Sequence, residues 1–147
     1  MMILRPTTTA DIGQIQRWHE DAAVQRWVPI SDWKTYYEAV SRLNDYYLYS
    51  VTENEQLVAS LALEIYSDKA AVCLVVDPAL HGKGIGTNAL QEMIQQSDTL
   101  FGSVNCLIAG IFPENTGSIK CFEKAGFERT GKGKDGEYLY SYMIRRQ

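Results

Sequence analysis

The chain is poor in the residues that mark several large protein classes. Cysteine occurs only three times, at Cys73, Cys106 and Cys121, an odd number at wide spacing. That excludes a disulfide scaffold and leads us to expect a reducing, cytoplasmic setting. Two histidines, His19 and His81, are too few for a zinc site of several His and Cys ligands or a well-supported Ser-His-Asp triad, so no metal is expected. The longest apolar stretches, residues 57–63 and 70–76, fall far short of the roughly 20 residues that span a bilayer, so no membrane partner is expected. Residues 1–6 turn polar too soon for a signal peptide. With four prolines, no repeat and no linker-like tract, one domain over residues 1–147 is the expectation. Basic residues are also short, 14 against 18 acidic, and the net charge of −4 argues against a nucleic-acid surface.

What is present is an ordinary globular composition, 46% hydrophobic, 11% aromatic and 22% charged. The charge is unevenly spread. Residues 1–69 carry six basic and ten acidic side chains, whereas residues 70–147 carry eight of each. A pocket built by the first half would sit in a negative field that attracts cations; a solvated acidic face is the alternative.

Periodicity gives the elements. Residues 2–5 form a short strand, and a helix carrying Ile12, Ile15 and Trp18 at helical spacing follows the capping residues Thr9-Ala10-Asp11. A second helix starts after Ser31-Asp32, with Trp33, Tyr36, Tyr37, Val40 and Leu43 on one face. Residues 46–52, 56–66 and 69–76 are rich in β-formers and separated by turn residues, which predicts an antiparallel meander. A glycine-rich loop then opens a helix with Ile85, Ala89, Leu90, Met93 and Ile94. Next come a strand over residues 104–112, a helix of about ten residues ending at Gly126, and a hairpin pairing residues 127–130 with 137–144. The order βααβββαβαββ predicts an α/β (α+β) fold: a mixed, mostly antiparallel central sheet flanked by helices, parallel around its fourth and fifth strands.

The segment Val75-Val76-Asp77-Pro78-Ala79-Leu80-His81-Gly82-Lys83-Gly84-Ile85-Gly86 is the most informative. Glycines opening a helix leave backbone N–H groups pointing outward, reinforced by the helix dipole, which suits a pyrophosphate. A tight structural turn is the alternative. The loop lacks the Lys-Ser/Thr pair of a P-loop, and it does not follow the first strand of a parallel βαβ unit as a Rossmann fingerprint would.

The run His81-Gly82-Lys83-Gly84-Ile85-Gly86 after the fourth strand resembles the Gln/Arg-x-x-Gly-x-Gly/Ala signature of the Gcn5-related N-acetyltransferase (GNAT) family, with His81 at the basic first position. Residues 115–127, with Asn115, Ser118, Phe122, Lys124 and Gly126-Phe127, resemble that family's later Asn-x-x-Ser/Ala-x-x-x-Tyr/Phe-x-Lys-x-Gly-Phe segment, in the family's order and separation. The resemblance covers essentially the whole chain. Residues 121–129, with Trp18 and Trp27, are locally similar to the aminoglycoside 6-prime N-acetyltransferase branch.

The resemblance implies acetyl-CoA as cofactor, with coenzyme A as product, held where the fourth and fifth strands splay. Main-chain groups of Leu74, Val75 and Val76 would pair with the pantetheine arm, and the amides from Gly82 to Gly86, with His81, Lys83 and Ile85 in the same loop, would hold the pyrophosphate. Asn115, Ser118, Phe122 and Lys124 would line the rest. Residue by residue there are alternatives: Asn115 and Ser118 as helix caps, Phe122 as core, Lys124 as a solvated charge.

The chemistry implied is direct attack of an amine on the thioester. It needs a proton acceptor, an N–H such as that of Val75 or Val76 for the developing oxyanion, and a proton for the departing thiolate. Phe122 stands where many relatives carry an acidic tyrosine, leaving Tyr138, Tyr140, water or no acid. Ala70 falls where relatives carry a glutamate, and Glu64 on the neighbouring strand is the candidate base, its face undetermined by alternation alone. For the acceptor wall the resemblance designates the first two helices, which offer Trp27, Asp32, Trp33 and Tyr36, aromatics and a carboxylate suited to a cationic amine. The expected partner is a small-molecule amine. Alternatives are a peptide or protein amine, or acyl-CoA binding without turnover, and a homodimer is a further expectation.

Overall fold

The structure, a computed structural model, describes residues 1–144. Strand β1 (Met2–Pro6) leads through a 3-10 turn (Thr9–Asp11) into α1 (Ile12–Glu20), α2 (Ala22–Gln25) and α3 (Trp33–Val40). The meander β2 (Tyr46–Glu53), β3 (Gln56–Tyr66) and β4 (Lys69–Val76) follows. Then come α4 (Ile85–Gln95), α5 (Ser97–Phe101), β5 (Cys106–Ile111), α6 (Thr116–Lys124), β6 (Glu128–Lys132) and β7 (Tyr138–Met143). The mixed, mostly antiparallel sheet matches the expectation, with one more helix in each of two places.

Local chemistry accounts for the extra breaks. Asp21 leaves the helical region (ψ 134°) and its carboxylate accepts from the Ala23 amide, so α1 and α2 are separate helices. Asp32 caps α3 by accepting from the Thr35 amide at 3.1 Å. Helix α3 stops at Val40, which corrects the expectation for Leu43: it lies beyond the helix and is exposed.

The seven strands run in the order β1-β2-β3-β4-β5-β7-β6. All neighbours are antiparallel except β4 and β5, whose parallel ladder consists of Lys69–Cys106, Ala70–Leu107 and Ala71–Ile108. Past Ala71 the two strands part, and that opening positions the site. One face of the sheet, with Leu61, Leu63, Ala70, Val72, Leu107 and Ala109, packs on Leu90 and Met93 of α4 and Phe122 of α6. On the other face Val75 packs among Ile15, Trp18, Val24 and Trp33 from α1 to α3.

Beneath α1 the Arg5 guanidinium forms a two-pronged ion pair with Asp11, at 2.7 and 2.8 Å. Asp11 also accepts from Ser50 and the Thr8 amide, and these bonds hold its carboxyl down to about 2. Among the described residues no helix is long and apolar enough to cross a membrane.

Candidate functional site

The free edge of β4 is the first component. Asp77 donates its amide to the Val58 carbonyl at 2.9 Å, and Val75 stands opposite Ser60 on β3. Alternation along the strand then turns the main-chain groups of Leu74 and Val76 to the opposite edge, where β5 has moved away. Of the two amides expected to stabilise an oxyanion, that of Val76 faces the opening; the main-chain groups of Val75 face β3, which corrects both expectations for them, the oxyanion contact and the pairing with a pantetheine arm.

The glycine loop is the second. Gly82 and Gly84 have φ of +80° and +79°, a region favourable only to glycine, and a Cβ at either would meet nothing within 4 Å. Gly84 is the N-cap of the three-turn helix α4, so the loop presents bare amides and the positive end of a helix to open space. Gly86 has a different task. A Cβ there would stand 2.8 Å from Cys121 Sγ and 3.2 Å from Leu74 Cδ2, so its missing side chain lets α4 approach β4 and α6. His81 closes the loop: its Nε2 lies 3.1 Å from the Val76 carbonyl, and since a carbonyl only accepts, that nitrogen carries the proton.

Between these parts lies a cavity of about 840 Å³. It brings together most of the residues expected to hold a cofactor: Leu74, Val75, Val76, His81, Gly82, Gly84, Ile85, Gly86, Asn115, Ser118 and Lys124. Lys83 is exposed on the loop and does not line it. Phe122 is a correction: it is 3% exposed, with Phe127 edge-on at 5.0 Å, because the turn of α6 that points Cys121 into the cavity points the next side chain into the core. Asn115 caps α6 by accepting from the Ser118 amide at 3.3 Å and lines the cavity as well. Sequence reasoning missed Lys120 and Cys121 on the α6 wall, although their spacing of four and three residues from Lys124 and Ser118 places them on one helical face. It also missed Ala23, Val24 and Val28, which close the cavity from the α2 side.

The acceptor wall is divided. Trp27 lines the cavity, with the Arg26 guanidinium 4.3 Å from its ring, so that ring already carries a cation from the chain itself. Trp33 is buried, with the rings of His19 and Tyr37 stacked on it, which corrects its placement on the substrate surface: it supports the wall from behind. Asp32 is exposed and engaged in capping α3 through Thr35. Tyr36 is half-buried on the sheet side of α3, its phenol pushed up to about 12 by burial and by the charges of Cys73 and Glu64.

The register places Glu64. It stands opposite Ala71 on β4, on the same face as Val75 and therefore beneath the α1–α3 layer, half-buried. Cys73 opens onto this face, and the surrounding protein pushes its thiol up to about 11. Neither tyrosine considered as a proton donor lines the cavity. Tyr140 is buried and donates to Glu123 at 2.8 Å, and Tyr138 carries the Arg129 guanidinium 3.4 Å from its ring. Among the described residues no cluster of three His, Cys, Asp or Glu is placed to hold a metal.

A family model described as acetyltransferase (GNAT) domain matches residues 2–128. YwnH of Bacillus subtilis, provisionally named a phosphinothricin acetyltransferase, is 35% identical over 85 residues, 54% of this chain and 51% of that protein. The chain spans about half the length of the curated relatives it matches. Aminoglycoside acetyltransferase AAC(6')-Ib in complex with coenzyme A has a similar fold, with a TM-score of 0.83 at 18% identity over 97% of this chain and 95% of that one. Spermidine N-acetyltransferase of Vibrio cholerae with coenzyme A and spermine gives 0.83 at 15% identity over the same shares.

Proposed function

Because the chain belongs to the GNAT acetyltransferase domain family, we propose that it is an acetyl-CoA-dependent N-acetyltransferase whose acceptor is a primary amine of a small cationic molecule. The observation that carries this is the inward-facing edge of β4 at Leu74 and Val76, set across the cavity from the bare amides of Gly82 and Gly84. The site fits the cofactor: extended strand groups suit an amide-bearing arm, and the open glycine loop at a helix N-terminus suits phosphates. Lys120 and Lys124, with Glu123 also on the wall, leave one net positive charge along α6.

When bound, acetyl-CoA supplies a thioester carbonyl open to attack and a thiolate leaving group. The Val76 amide, facing the opening, would be the donor placed to stabilise negative charge on that oxygen. Glu64 takes a proton from the acceptor ammonium, so that a neutral amine is delivered from the α1–α3 side. Aromatic Tyr36 and the acidic first half of the chain favour a cationic acceptor on that side. Names of similar proteins point the same way, to aminoglycosides and spermidine. A second reading, acyl-CoA binding without turnover, is favoured by one observation: no tyrosine is among the described residues that line the cavity.

The deciding experiment is acetyl-CoA-dependent thiol release against aminoglycosides, polyamines, amino acids and short peptides, with mass detection of the product. Transfer to a cationic amine, abolished by Gly84→Trp and lost in Glu64→Gln with acetyl-CoA affinity intact, is expected. Silence across the panel with acetyl-CoA still bound supports the second reading. Unchanged acetyl-CoA affinity in Gly84→Trp overturns the placement of the cofactor.

A further inference from the structure

Glu64 does not stand alone on its face. Tyr46 on β2 is its direct cross-strand partner, and such pairs hold their Cβ atoms about 5 Å apart. Tyr66 lies two residues further along β3, so its side chain leaves the same face. Tyr46 and Tyr66 flank the Glu64 carboxylate on that face, close enough for it to help raise both phenols. Tyr36, on α3, is near enough for the Glu64 charge to help raise its phenol. The other ionisable groups around the cluster are Asp45, next to Tyr46, Lys69, opposite Tyr66, and Cys73, opposite Ala62. Neither ion pair found among the described residues involves Glu64.

We propose that Tyr46 and Tyr66 are positioning residues for Glu64, their phenols fixing its carboxylate in one orientation on the acceptor face so that it meets the incoming ammonium. The inference rests on Glu64 being the proton acceptor. In that step the N–H bond of the ammonium breaks, the proton passes to a Glu64 oxygen and the electron pair stays on nitrogen; the phenols keep their own protons. A carboxylate on a flexible three-torsion side chain would otherwise sample several rotamers, and two converging donors remove that freedom. Tyr46 contributes more than Tyr66, because Tyr46 is half-buried and Tyr66 is 52% exposed to competing water. Burial does most to raise the Tyr46 phenol and the neighbouring Glu64 adds to it, in keeping with a phenol that stays protonated.

The test needs no acceptor. The side-chain carboxyl carbon of Glu64, identified by carbon-13 NMR through its loss in Glu64→Gln, is compared at pH 8 in the wild type, Tyr46→Phe, Tyr66→Phe and the double variant. Expected is a stepwise shift toward the resonance of a fully hydrated glutamate, larger for Tyr46→Phe. Tyr37→Phe, whose phenol lies near the Thr7 carbonyl at 3.4 Å, leaves the resonance in place. A resonance unmoved in the double variant, with an unchanged thermal midpoint, overturns the proposal. Full turnover by Glu64→Gln across the amine panel overturns the reading beneath it, and the two failures are separate results.

Discussion

The sulfur of Cys121 stands 2.8 Å from the point a Cβ on Gly86 would occupy, closer than real Cβ contacts come. The last glycine of the loop is therefore a packing residue, with Leu74 and Val76 also crowding the point. Gly86→Ala is expected to cost about 1–3 kcal/mol by overpacking. Cys121→Ala in the same chain recovers part of that loss, a coupling that a double-mutant cycle on thermal midpoints measures.

Gly84→Ala behaves differently. Its Cβ enters open space, so the cost to stability is confined to the φ of +79°, about 1 kcal/mol. The added methyl instead stands over the amides offered to a phosphate. Calorimetric titration with coenzyme A is expected to weaken several-fold for Gly84→Ala, and not in proportion to its change in melting temperature.

The bond from His81 Nε2 to the Val76 carbonyl ties the loop to the strand whose edge faces the cleft. His81→Ala releases that tie. A rise of several-fold in the KM for acetyl-CoA is expected, with Gln at the same position restoring most of it because its amide can donate to the same carbonyl.

Two titrations divide the acid range. Asp11, bonded to Arg5, Thr8 and Ser50, is held at about 2, against an ordinary value of 3.8. A carboxylate depressed by folding adds stability above its unfolded value and loses it as pH falls through the folded one. The window is therefore about pH 4 to 2, worth about 2 kcal/mol. Asp11→Asn is expected to lower the urea midpoint at pH 7 and to flatten its further fall in that window.

His19 covers milder acid. It is buried against Trp33, neither ring nitrogen has a hydrogen-bond partner among the described residues, and burial pushes its pKa below 6.5, opposed by the Ile30 main chain. The unfolded chain takes up this proton first, so stability is full above pH 6.5 and declines below it. A urea midpoint that drops between pH 7 and 5 in the wild type, and drops less in His19→Phe, is the expected result.

Much of this molecule was legible in its residues, and what escaped was orientation. The strand, glycine loop and helix around Gly82 and Gly84 follow from composition and period, since few residues tolerate positive φ at the start of a helix. Phe122 could not be placed that way: one step along a helix turns a side chain by about 100°, so adjacent Cys121 and Phe122 face cavity and core. Glu64 lies in a strand apolar on both faces, and only pairing with Tyr46 and Ala71 reveals its side. Asp32 and Trp33 match a binding wall in chemistry, yet helix capping and burial engage both. Which of the Val75 and Val76 amides is free depends on the hydrogen bond made by Asp77, one residue past the strand.

The parallel seam between β4 and β5 has only three residue pairs, so the sheet carries an unpaired edge in its own interior. Unpaired strand edges at a protein's rim invite other chains to add to them, the first step of aggregation. Here the same row of donors and acceptors lies at the bottom of a crevice walled by α2, the glycine loop and α6 rather than at the rim of the sheet. The fold thus keeps a surface adapted to backbone-like ligands away from the rim, where strands of other chains add.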